Sequence, residues 1–172
     1  MPRRASPPPS GIVSSSHLVS PRSAELSEFE FGLIVAWNAF SRWAVRCMAS
    51  AGTPDLTITD VLLLHHVNHR ARNKKLADIC FVLNYEDTHV VAYSLKKLTA
   101  AGLVSASKLG KEVFYSPTAS GEAAVQAYRR VREQCLVESL DTELNAPIGE
   151  LARLLRTMSG MYDQAARAAS SL

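Results

Sequence analysis

The sequence predicts a mainly α-helical fold that carries one small β-hairpin and ends in long helices. Three observations predict it. Apolar residues recur at helical spacing in successive segments from Glu28 onward, and the pattern changes period only at Leu103–Ser107 and Glu112–Ser116. Those two β-prone runs are joined by Lys108-Leu109-Gly110-Lys111, a compact basic tip. The final segment repeats apolar residues in alternating steps of three and four, a narrow seam of the kind two helices use to grip each other.

Composition bounds the function classes. The chain has 172 residues with 47% hydrophobic and 20% charged, which fits one domain with appendages and excludes a wholly disordered chain. Cys47, Cys80 and Cys135 are too few and too scattered for a disulfide framework or a CxxC metal knuckle, and they suit a reducing cytoplasm. Aliphatic runs such as Val61 to Leu64 are far short of a membrane span, so no membrane partner is expected. Gly-rich phosphate loops, nucleophile elbows and paired carboxylates are all missing, which argues against an enzyme and implies no cofactor.

Net charge is +3, and its distribution says more than its total. Residues 53–120 hold eight Lys/Arg against six Asp/Glu, and the cations cluster at Arg70–Lys75, Lys96–Lys97 and Lys108–Lys111. A basic face in the middle of the chain is the expectation.

Residues 1–27 contain five of the eight prolines and eight serines, too little apolar surface to offset ordering entropy, so they are expected to form a disordered tail. The folded part is expected over 28–172. A first helix from Glu28 to Ala51 is apolar on more than one face, and Phe29, Leu33, Trp37 and Phe40 are its candidate subunit contacts. Gly52-Thr53-Pro54 ends it. A second helix starts at Thr57, with Asp60 placed for a capping box, and runs to about His69. The third covers roughly Lys74 to Val82. The fourth, over about 85–101, is capped by Asn84 with Asp87 three residues on, and stops at Gly102. After the hairpin, Pro117-Thr118 opens a fifth helix reaching about Leu140, and Pro147 sits at the first turn of a sixth. Ile148, Leu151, Leu155, Met158 and Tyr162 form the seam of that sixth helix and are the second set of dimer candidates.

Three helices followed by a hairpin, with cations on the last helix and on the hairpin tip, describe a winged helix-turn-helix. The stretch Leu56-Thr57-Ile58-Thr59-Asp60, then Leu76-Ala77-Asp78-Ile79 and Asp87-Thr88-His89-Val90-Val91, resembles the MarR family of transcription regulators. The likeness continues through Leu95-Lys96-Lys97-Leu98-Thr99-Ala100-Ala101-Gly102-Leu103-Val104 and closes at Ser116-Pro117-Thr118-Ala119-Ser120-Gly121. It spans about residues 28–170. It implies a homodimer joined through terminal helices (about 28–52 and 119–170), with two winged cores (about 53–118) reading a pseudo-palindromic operator in double-stranded DNA. It also implies a small-molecule effector in a crevice between the dimer interface and the winged domain. Trp37, Phe40, Trp43 and Tyr128 fit such a lining, although their helical spacing favours ordinary interface packing. The sequence departs from the family in its short wing, which lacks the family's Asp-x-Arg element, and in a long connection that carries Glu86 and Asp87.

Helical geometry assigns the fourth helix without the family. At about 100° per residue, Val91, Ser94, Leu95 and Leu98 share the core side, which leaves His89, Tyr93, Lys96 and Lys97 facing outward. His89, Tyr93 and Lys96 are the candidate base readers in the major groove. Lys74, Lys75, Thr88, Lys97, Lys108 and Lys111, on the wing and around it, are the candidate phosphate contacts. The competing reading is a winged-helix dimer that binds a protein or small ligand and touches DNA weakly or not at all. His65 and His69, one turn apart within H-H-x-x-H, have the spacing of a zinc pair, but neither a third ligand nor a general-base glutamate accompanies them, so no metal is assigned. Cys47 and Cys80 lie among apolar neighbours and read as inert buried thiols.

Overall fold

The computed structural model describes residues 16–23 and 25–172. The expected tail therefore lies mostly outside the described residues. Its described part has a 3-10 turn at Ser16–Leu18 and a short bridge between Ser20 and Ser23. The chain forms two compact units, one ending at Tyr128 and one comprising Arg129–Leu172.

In the first unit, helix α1 is Glu25–Ser50, so it begins three residues before the expected start and buries Ser27. Gly52, at φ 92°, turns the chain out of it. Helix α2 is Ile58–Asn68. Its capping box is present, with the Thr57 hydroxyl accepting from the Asp60 N–H and the Asp60 carboxylate accepting from the Thr57 N–H. Strand β1 (Lys74–Lys75), helix α3 (Leu76–Leu83) and helix α4 (Thr88–Ala100) follow. Strands β2 (Val104–Leu109) and β3 (Glu112–Pro117) then form the hairpin, with Gly110 at φ 64° in its turn. Helix α5 is Ala119–Arg132.

The core is one layer of side chains from all four early helices. Met48 of α1, Leu63, Leu64 and Val67 of α2, Ile79 of α3, and Val91, Leu95 and Leu98 of α4 are fully buried. The core side of α4 is the predicted one: Val91, Ser94, Leu95 and Leu98.

Three local expectations are corrected. Lys74 and Lys75 are not helical. They pair antiparallel with Tyr115 and Phe114, making a three-stranded sheet of order β1-β3-β2. Two residues are too few to display a strand period, so only the tertiary partner reveals them. Asn84 does not start α4. It adopts the left-handed conformation (φ 56°) that closes α3, donating its N–H toward the Cys80 and Phe81 carbonyls. The cap of α4 is Asp87, whose carboxylate accepts from the His89 N–H at 2.8 Å, so the helix begins at Thr88 rather than near 85. The fifth helix ends at Arg132, and a π-helical turn, Glu133–Val137, replaces the expected continuation to Leu140.

The second unit contains a 3-10 turn at Thr142–Leu144 and helix α6, Asn145–Ala169, with Pro147 in its first turn. None of the residues of α6 is buried.

Candidate nucleic-acid interface

A buried polar cluster holds α4 under α2. Asp60 is 2% exposed, yet its carboxylate has three donors. The Thr57 N–H reaches it at 2.8 Å and the Lys97 ammonium at 2.7 Å, and the Ser94 hydroxyl donates to it as well. Burial by itself pushes the Asp60 carboxyl up, but the hydrogen bonds from Lys97, Ser94 and Thr57 outweigh it and hold the pKa below the ordinary aspartate value. Lys97 also donates to the Asp55 carbonyl at 2.6 Å, where Asp55 is held at φ 67°. Ser94 and Lys97 both belong to α4, so this cluster fixes how that helix rotates about its own axis. The capping box is legible in the sequence, but its second task is not. The available signal was Ser94, a polar residue on an otherwise apolar face that needs a buried partner.

With α4 so fixed, His89, Tyr93, Lys96 and Ala100 form its solvent side, and Tyr93 is 74% exposed. Val90, also exposed beside His89, was not singled out from sequence and adds an apolar contact to the same face. Thr88 is exposed in the first turn. His89, Tyr93, Lys96 and Thr88 carry the hydrogen-bonding tips that base edges and phosphates in a major groove can take up.

The cations expected on phosphates divide into two groups. Lys108 and Lys111 are exposed on the wing, flanking Gly110 beside an exposed Leu109. Lys74, Lys75 and Lys97 are engaged within the fold. The Lys74 ammonium donates to the carbonyls of Val67 (2.9 Å) and His69 (2.7 Å) at the end of α2. Lys75 pairs with Glu112 of β3 at 2.7 Å and lies 5.4 Å from the centre of the Phe114 ring. Lys97 serves Asp60. Periodicity marks which residues leave the core, but not which of them find a partner at the rim.

The closing Thr-x-x-Gly element has a physical reason. The Thr118 hydroxyl donates to the Gly102 carbonyl at 2.8 Å and accepts from the Gly121 N–H at 3.0 Å. A Cβ on Gly121 would lie 2.0 Å from the Leu103 carbonyl oxygen, so only glycine lets α5 start against the wing's first strand.

Residues 56–121 match the winged helix DNA-binding domain family. No curated protein sequence matches the chain. Among solved structures, the chain is similar to Sco5413, a MarR family transcriptional regulator from Streptomyces coelicolor, with a TM-score of 0.65 and 17% identity over 81% of this chain and 99% of that one. The central segment thus has a winged helix fold, and the chain shares the overall fold of MarR-type structures. The chain is similar in the same way to AbfR of Staphylococcus epidermidis (TM-score 0.65, 17% identity, 79% of this chain and 92% of that one). The match to S. aureus MepR, solved as a DNA complex, has a TM-score of 0.60 and 20% identity over 77% of this chain and 97% of that one.

The remaining candidates fall outside the winged helix domain's outward face. On α1, Leu33, Trp37 and Phe40 are exposed and Phe29 is half-buried, with the Trp37 and Phe40 rings 6.1 Å apart. On α6, Ile148 and Leu151 are exposed while Leu155, Met158 and Tyr162 are half-buried. Tyr128, one of the effector-crevice candidates, is instead buried in the core with its ring edge-on to His65 at 4.5 Å. Burial pushes the His65 imidazole below its ordinary pKa. Among the described residues no three His, Cys, Asp or Glu side chains gather as a metal site. Cys47 and Cys80 are buried and Cys135 is exposed. Burial pushes the Cys80 thiol up, away from the thiolate.

Proposed function

We propose that this protein is a homodimeric transcription regulator that reads double-stranded DNA in a sequence-dependent way, with α4 entering the major groove and the β2–β3 wing resting on the backbone. The observation that carries the reading is the outward face of α4. His89, Tyr93 and Lys96 stand clear of the core on a helix that the Asp60 cluster keeps in one rotational setting. In this reading His89, Tyr93 and Lys96 read base edges, while Lys108, Lys111 and Thr88 hold phosphates. Lys75 can join them only by giving up Glu112.

Dimerisation is supported by two unpartnered apolar faces. α1 exposes Leu33, Trp37 and Phe40, and α6 exposes Ile148, Leu151 and Leu154. Exposed apolar surface of that extent on two long helices is what a second copy would cover, and a two-fold dimer would match a pseudo-palindromic operator. A small-molecule effector belongs to the same proposal through the family resemblance, as does a cytoplasmic location.

A salt titration tests it. Duplexes enriched from a random library are bound by the full chain at increasing salt. Several phosphates neutralised per dimer require the logarithm of affinity to fall linearly with the logarithm of salt, by about 0.9 per phosphate. A flat response, or no enrichment over random duplex, refutes DNA reading and leaves the interaction-module alternative.

A further inference from the structure

The H-H-x-x-H segment is not absorbed by DNA reading, and it borders a cavity of about 380 Å³. His66 comes from α2, and His69 and Arg70 from the turn that follows it. Arg72 and Lys74 lead into and form β1, and Asp78 and Val82 of α3 close the far side. Five basic side chains thus face one carboxylate. Among the described residues, none of His66, His69, Arg70 and Arg72 makes an ion pair, and Lys74 bonds only to backbone carbonyls.

The cluster is electrostatically unfavourable as it stands. Burial lowers the pKa of the His66 imidazole, and the neighbouring charges of Lys74 and His69 lower it further. Burial followed by the Arg72 charge lowers that of Lys74. The backbone is strained at the same place: Arg70 adopts φ 63° and ψ 18°, the left-handed region that favours glycine. Repelling cations around a cavity, one of them on a strained residue, become favourable together when an anion enters.

We infer that this cavity binds an oxyanion, the phosphate or carboxylate group of a small molecule, held by the Arg70 and Arg72 guanidiniums with His66 and His69 beside them. Guanidinium groups match such anions in paired hydrogen bonds, and Val82 offers an apolar wall for the rest of the ligand. The volume is near the lower end of small-ligand pockets, about 300–1,000 Å³. Because α3 is the first helix of the helix-turn-helix, an anion here would tie it to the end of α2. A DNA backbone phosphate has the same chemistry as a free one, so the test separates the two sources.

The full chain is titrated with sodium phosphate against sodium chloride at matched ionic strength, following Tm and the imidazole C–H resonances of His66 and His69. Saturable shifts at both histidines are expected. Arg72→Gln and Arg70→Gly should each weaken them by about tenfold or more, the loss expected for a charge-assisted pair. Arg156→Gln, at an exposed cation on α6, should leave them unchanged. Arg70→Gly relaxes the left-handed backbone, so its Tm without phosphate should equal or exceed that of the parent, and lost binding then cannot be lost folding. If free phosphate gives no saturable shift while Arg72→Gln weakens binding of a random duplex and flattens its salt dependence, the anion is the DNA backbone. If neither effect is seen, the site is refuted. The phosphate arm contains no DNA, so its outcome is independent of whether the chain reads operators.

Discussion

Replacing Asp60 by Asn keeps the shape of the side chain and removes its charge. One carboxylate oxygen becomes an NH₂ group that can only donate, in a buried site where Thr57, Ser94 and Lys97 all donate. The oxygen that remains can keep either the Thr57 or the Ser94 donor in place, so one of the two loses its acceptor, at a cost of about 1–3 kcal/mol. Lys97 is 36% exposed at its side chain and keeps the Asp55 carbonyl, so most of its charge is rescued by water and its share is small. The loss is about 2 kcal/mol. With a urea dependence of about 2 kcal/mol per molar, the unfolding midpoint should fall by about 1 M. The measurement is urea unfolding at fixed protein concentration, because a dimer's stability depends on it. A fall below about 0.3 M would refute the cluster as the lock on α4. Lys97→Met provides the functional arm. It should lower stability by about 1 kcal/mol and leave the salt dependence of DNA binding unchanged, since its ammonium is held by Asp60. A salt slope reduced by about 0.9 would return Lys97 to the phosphate-binding set.

Lys108→Ala combined with Lys111→Ala should weaken all duplexes alike and reduce the salt slope by about 0.9 for each phosphate no longer neutralised, whereas His89→Ala or Tyr93→Ala should narrow the gap between selected and random duplexes. Gly121→Ala should destabilise by about 3 kcal/mol or more, read by thermal unfolding, because the new methyl meets the Leu103 carbonyl oxygen. Ile148→Glu with Leu151→Glu, both exposed within the chain, should leave helical content intact and raise the dimer dissociation constant by about 100-fold or more in sedimentation equilibrium. His65 has a folded pKa below its unfolded value, so the unfolded chain binds the extra proton and stability should fall as pH drops through about 6.5. His65→Phe should flatten that limb. Asp60, also lowered, contributes stability that is present above about pH 4 and lost as pH falls further, a limb that Asp60→Asn should remove.

The helices and the hairpin were legible because their signals are local. Thr57 and Asp60 sit at capping-box spacing, Gly102 and Gly110 mark chain reversals, and the apolar stripe of α4 repeats often enough to orient it. The dipeptide strand at Lys74–Lys75 and the roles of its lysines were not legible. Their partners, Glu112, Phe114 and the carbonyl at the end of α2, lie elsewhere in the chain or in a turn without periodicity. The same holds for Asn84, whose side chain suits a helix start but whose backbone closes the helix before it.

By itself, the sequence determined that the chain is mainly helical with a basic hairpin, and that His89, Tyr93 and Lys96 leave the core while Val91, Leu95 and Leu98 enter it. Burial follows from hydrophobic period, and period is written in order along the chain. Only the tertiary structure decided which cations remain available to a partner. Lys108 and Lys111 extend from a wing, whereas Lys74, Lys75 and Lys97 have found oxygen partners within the fold. A charge is committed by what folding brings within about 3 Å of it, and that distance is not a property of spacing along the sequence.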